Sequence, residues 1–114
     1  MAQNTSELDQ QFHQAMLDLY DAACGLKPPY RPTRFLAMVN ERGGKNTADH
    51  LLATDHPSEG FTELFMRDRR LDLSVEYLVL RNPWRSLFSP EQLAVARDRL
   101  IKHEFSPPPE DVVC

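Results

Sequence analysis

Arg70-Leu71-Asp72-Leu73-Ser74-Val75-Glu76-Tyr77-Leu78-Val79-Leu80 is the stretch on which the fold class turns. Val75 to Leu80 is rich in the side chains that favour a pleated strand. No second strand-like run exists in the chain to pair with it, and a lone strand leaves its backbone N–H and C=O groups unsatisfied. The alternative is a helix capped by Asp72 or Ser74, with Val75, Leu78, Val79 and Leu80 on its apolar side. The segment therefore reads as helix, and the chain as all-α.

Helical period recurs on both sides of it. Upstream, Leu8, Phe12, Ala15, Met16, Leu19, Tyr20 and Ala23 form one apolar stripe on a helix from about Ser6 to Cys24. Thr5 or Ser6 is its expected cap, and Gly25 its stop. Pro28, Pro29 and Pro32 forbid regular helix across the following loop. A second helix is expected from Thr33 to about Arg42, ended by Gly43-Gly44, with Phe35, Leu36, Met38 and Val39 inward. A third, capped by Asn46 or Thr47, runs to about Ala53 with Ala48, Leu51 and Leu52 inside. Ser58 caps a fourth that carries Phe61, Leu64 and Phe65. Downstream, Asn82-Pro83 breaks the chain, and Ser89-Pro90-Glu91-Gln92 combines an N-cap serine, a first-turn proline and a capping box. The last helix then runs to about His103, with Leu93, Ala96 and Leu100 inward. The expectation is a compact bundle of five or six short helices over residues 1–105, followed by a flexible proline-rich tail at 106–114.

A chain of 114 residues holds one domain comfortably, with a hydrophobic share of 41% and a charged share of 26%. Its net charge of -4 does not favour broad electrostatic binding to nucleic acid. The charge is uneven: Glu7, Asp9, Asp18 and Asp21 stand before the first Lys or Arg, and bases outnumber acids between Arg67 and Lys102. The two cysteines, Cys24 and Cys114, are too few for a secreted disulfide scaffold and read as free thiols. No signal peptide or membrane-length apolar run is visible, so a cytoplasmic location is expected.

Taken in order, five segments resemble a widespread family of small, uncharacterised bacterial proteins and domains. They are Phe12-His13-Gln14-Ala15-Met16; Thr33-Arg34-Phe35-Leu36-Ala37-Met38-Val39, closed by Gly43-Gly44; Gly60-Phe61-Thr62; Arg70-Leu71-Asp72-Leu73-Ser74-Val75-Glu76; and Leu87-Phe88-Ser89. The similarity covers most of Phe12 to Leu100, and the Arg70–Glu76 segment is its most distinctive part. The chain departs from the pattern in its Pro28–Pro32 loop and its tail. The resemblance implies a bacterial or phage origin, a compact fold and a phage–host, defence or anti-defence setting. It implies no activity and no site residues.

The residues point away from catalysis. His13, His50, His56 and His103 have no metal-ligand spacing, and no Cys-x-x-Cys or His-Glu-x-x-His motif occurs. The charged residues just before Cys24 are acids, which do not activate a thiol. No nucleophile elbow or phosphate loop is present. Asp72 and Glu76, with Arg69 and Arg70 upstream, could form an acid/base pair, but Asp72 as a cap and Glu76 bridged to Arg70 is the simpler arrangement. No cofactor, metal or catalytic residue is therefore assigned. The expected function is a non-enzymatic protein-binding or regulatory module. Its candidate interface is Glu7, Asp9, Asp18, Asp21, Tyr30, Arg31, Trp84 and Arg85, since Trp, Tyr and Arg are enriched among interface hot spots. Trp84 serves equally well as a core residue. The alternative is a helix-turn-helix DNA-binding regulator built on Thr33–Ala53, with Arg42, Lys45, Asn46 and Thr47 as contacts. Asp49 and Asp55 would oppose the approach of phosphate.

Overall fold

Three serines set three helix starts. The Ser58 hydroxyl accepts from the Phe61 N–H at 3.2 Å, and that of Ser74 from the Tyr77 N–H at 3.2 Å. Ser89 accepts from the Gln92 N–H at 3.1 Å, while Gln92 Oε1 accepts from the Ser89 N–H at 2.9 Å, closing the expected capping box. The computed structural model describes residues 3–67 and 69–108, with side chains from residue 7 onward. Its helices are α1 (Gln3–Cys24), α2 (Thr33–Arg42), α3 (Gly44–Leu52), α4 (Glu59–Met66), α5 (Val75–Val79) and α6 (Pro90–Lys102). Single turns of 3-10 helix lie at Leu71–Leu73 and Trp84–Leu87. No strand occurs among the described residues, so Val75–Val79 is helix and the protein is all-α. Ser74 is the cap; Asp72 instead pairs with Arg70, Nε to Oδ1 at 3.0 Å.

Two helix starts differ from expectation. Thr5 and Ser6 lie inside α1, because nothing from Gln3 onward breaks a helix before Gly25. α3 begins at Gly44, two residues before Asn46. Its leading N–H, on Gly44, donates to His13 Nδ1 of α1 at 3.0 Å, so a side chain 31 residues away supplies the acceptor that a local cap would have given. Gly43 alone makes the turn, at φ +90°, a conformation that side chains resist. Gly44 is needed for a different reason. A Cβ there would stand 2.7 Å from the His13 Cα, so only glycine lets α3 approach α1 this closely.

α3 is consequently the hub, in contact with α1, α2, α5 and α6. Its buried residues are Gly44, Thr47, Ala48, Leu51 and Leu52, one inward stripe at helical spacing. Around them Phe12, Met16, Val39, Phe61, Leu71, Val79, Ala96 and Leu100 are almost wholly removed from water. The tail departs from expectation at its start. Pro107 is half-buried and Pro108 buried, because prolines, having no N–H to satisfy, can lie against an apolar surface at little cost. Residues 109–114, including Cys114, lie outside the described residues. Cys24 is a free, half-buried thiol, and its hydrogen bond to Tyr20 raises the phenol pKa.

Two substitutions check this account. Ser89→Ala should lower the unfolding free energy by about 1 kcal/mol in urea titrations, the usual value of an N-cap. Gly44→Ala should cost about 1–3 kcal/mol, because the new methyl must push α3 off the α1 backbone.

Candidate functional site

The helices α2, α4 and α5 are too short to cover one another completely, and the gap they leave is a cleft of about 590 Å³, open to solvent on one side. Its floor is apolar: Phe35 and Met38 from α2, Leu51 from α3, Phe61 and Leu64 from α4, and Val75 at the start of α5. The proline-rich loop and the α2 start raise one wall with Tyr30, Arg31 and Arg34; Glu59 and Gly60 of α4 face it, and His50 stands at the rim. Three of the segments quoted above meet here: Thr33–Val39, Gly60–Thr62 and Arg70–Glu76. A sequence pattern could have flagged them together, but nothing in the sequence says they share a surface.

Tyr30 and Arg31 both line the cleft. Tyr30 is held by Arg67, whose guanidinium lies 5.2 Å from the ring centroid and whose Nη1 donates to the Pro28 carbonyl at 2.9 Å. Burial, then the carboxylates of Glu63 and Glu59, push the Tyr30 phenol above its usual range. Arg31 remains exposed.

Glu76, deep in the cleft, is the residue whose role the sequence hid. It does not bridge to Arg70. Ser74 separates the 3-10 turn that carries Asp72 from α5, so Asp72 and Glu76 do not share a helix face. Glu76 turns inward instead and accepts from Arg99 Nη1 at 2.9 Å, with both side chains under a tenth exposed. Arg99 also donates to the Leu51 carbonyl at 3.1 Å and the Thr54 carbonyl at 2.6 Å. Burial pushes the Glu76 carboxyl above the ordinary carboxylate range, and the Arg99 hydrogen bond draws it part of the way back.

The other candidates fall elsewhere. Glu7, Asp18 and Asp21 lie on one exposed stripe of α1, while Asp9 is half-buried around the helix from them. Trp84 is half-buried, its ring packed edge-on to Phe12 at 5.7 Å, so it belongs to the core rather than to an interface. Arg85 Nη1 donates to the Leu80 carbonyl at 2.9 Å and fixes that turn. The DNA-contact set is dismantled by the packing of α3. Thr47 is fully buried and its hydroxyl finds no partner among the described residues, because it sits on the helix's inward stripe. Lys45 is paired with Asp49 at 2.9 Å, its ammonium 5.0 Å from the Phe88 ring centroid. The Asn46 amide donates back to the Arg42 carbonyl at 3.0 Å; Arg42 itself is exposed. The single-residue turn at Gly43 is also shorter than a helix-turn-helix turn.

Two histidines have internal roles: His13 at the α3 start, and His103, whose ring meets those of Phe61 and Phe65 edge-on at 4.9 and 5.0 Å. Among the described residues, no group of three or more His, Cys, Asp or Glu side chains is placed to hold a metal ion, and no helix is long and apolar enough to cross a membrane.

The buried carboxyl has a pH signature. Burial favours its neutral form, so the folded protein keeps the Glu76 proton to higher pH than the unfolded chain does. Its contribution to stability is therefore fully present below the unfolded carboxyl's ordinary range and lost as pH rises through the higher folded value. Glu76→Gln removes that linkage. In urea melts across pH, the stability of the wild type relative to Glu76→Gln should fall above the ordinary carboxylate range and be level below it. A difference independent of pH would show that the site does not discriminate between the two forms.

No family model, curated protein or solved structure matches the chain.

Proposed function

We propose that this chain is a small, non-enzymatic protein-binding module, and that its partner docks in the cleft between the proline-rich loop, α2 and α4. The observation that carries this is the cleft itself: a floor of large apolar side chains, open on one side and ringed by charged ones. That is the anatomy of an interface hot spot, where an anchor side chain enters a desolvated pocket inside a polar rim. An enclosed site would suit a small molecule better, because such ligands lose most of their surface to the protein. The acidic stripe of α1 is the weaker candidate surface. Its neighbours on that face include Gln11 and Gln14, so it offers no apolar anchor, and exposed charge alone contributes little affinity.

Gly60 gives a way to close the cleft without disturbing the fold. A Cβ there would meet only the Tyr30 hydroxyl at 3.6 Å and the Ser58 hydroxyl at 3.7 Å, ordinary contacts. Gly60→Leu should keep the circular dichroism spectrum and melting temperature of the wild type, while its longer side chain fills the mouth. Proteins retained on immobilised wild type at physiological salt should bind this variant at least about tenfold more weakly, a loss of about 1.4 kcal/mol. Retention equal to wild type would remove the cleft from the proposal.

A further inference from the structure

The rim of the cleft carries unequal charge. Arg31, Arg34 and Glu59 line it, beside His50, and Glu76 lies deeper in the cleft. Glu76 is already matched by Arg99 at 2.9 Å. Arg34 reaches Glu59 only at 3.7 Å, with the two side chains 88% and 78% exposed, so water screens the pair and leaves both groups open to another partner. Arg31 makes no salt bridge among the described residues and is exposed. The charge left over at the mouth is positive, on a chain whose net charge is -4.

Resting on the cleft as the partner surface, we infer that its occupant is an acidic segment of a partner protein, with a large apolar side chain flanked by Asp or Glu. The apolar side chain lies between Phe35, Met38 and Phe61. The flanking carboxylates meet the guanidinium groups of Arg31 and Arg34, whose forked N–H donors match a carboxylate's two oxygens. A basic segment would find Glu59 as its one open carboxylate, set against both Arg31 and Arg34, since Glu76 is buried and paired. A second copy of this chain is a poorer occupant. Its acidic stripe carries the charge, but glutamines stand where the anchor is needed.

Selection from a phage-displayed library of random short peptides on the immobilised full chain tests this, with Gly60→Leu as the counter-target. The enriched peptides should place Asp or Glu within a few positions of a large apolar residue. They should lose affinity for Gly60→Leu, and lose at least about tenfold for Arg31→Glu/Arg34→Glu. Peptides that need an open cleft but are basic or uncharged would overturn the charge preference and leave the cleft as the partner surface. Peptides that ignore Gly60→Leu, or no enrichment at all, would overturn both. Should Gly60→Leu not fold, two synthetic peptides with one apolar core, flanked by Glu or by Lys, can be titrated into the wild type. The Glu-flanked peptide should shift the amide resonances of Thr33, Gly60 and Ser74 at about a tenth of the concentration the other needs. Equal or reversed potency, or shifts elsewhere, would refute the inference.

Discussion

The guanidinium of Arg99 ties together α3, α5 and α6, three elements that meet in the core. From α6 it reaches the Glu76 carboxylate on α5 and, on its other side, the carbonyls of Leu51 and Thr54 where α3 ends. A charge this deep is tolerated only because each of these acceptors is in place. Burying an ion without partners costs several kcal/mol, and losing one side of such a pair costs about 3–5 kcal/mol. The Leu51 carbonyl also accepts from the Thr54 hydroxyl at 2.8 Å, and at this helix C-terminus a cation is favoured by the helix dipole. One side chain thus closes α3, neutralises Glu76 and holds α5 against α6. Because Glu76 lines the cleft, the same clamp fixes the cleft's depth.

The second constraint is the approach of α3 to α1. With Gly44 against the His13 backbone, α3 is drawn in until Thr47 and Ala48 are buried as well. This contact bears on the helix-turn-helix alternative. A recognition helix must leave its leading residues free to reach base edges or phosphates. Here those residues are used to hold α3 in the core, and Lys45 and Asn46 are occupied with neighbours on their own helix or the turn before it. What remains exposed on α3, chiefly Asn46 and His50, offers little positive charge.

Where the sequence was readable, one local interaction decided the outcome. Ser58, Ser74 and Ser89 each cap a helix whose remaining residues agree with it, and the apolar stripe of α1 buries Phe12, Met16 and Ala23. Where it was not, the partner lay far along the chain. The start of α3 depends on His13, and Gly44 and Thr47 complete a helical stripe that composition conceals, since neither counts as apolar. Glu76 looked like a surface acid paired with Arg70, while its actual partner, Arg99, stands 23 residues further on. The cleft was only half legible. Tyr30 and Arg31 stood out as an exposed pair in a proline-rich loop, but the floor beneath them joins residues from four helices, and no local pattern encodes that meeting.

The glycines differ in what requires them. Gly43 is required by its backbone conformation and Gly44 by a close approach. Gly60 is required by neither: a Cβ fits there at ordinary distances, at a cleft where Phe35 and Met38 are left half-buried. Covering such surface is worth about 25 cal/mol per Å² to the isolated fold. Leaving it open is the arrangement expected where the missing apolar contact comes from another molecule, so that the stability forgone in the free protein is recovered on binding. The three glycines thus separate what the fold demands from what the open cleft demands.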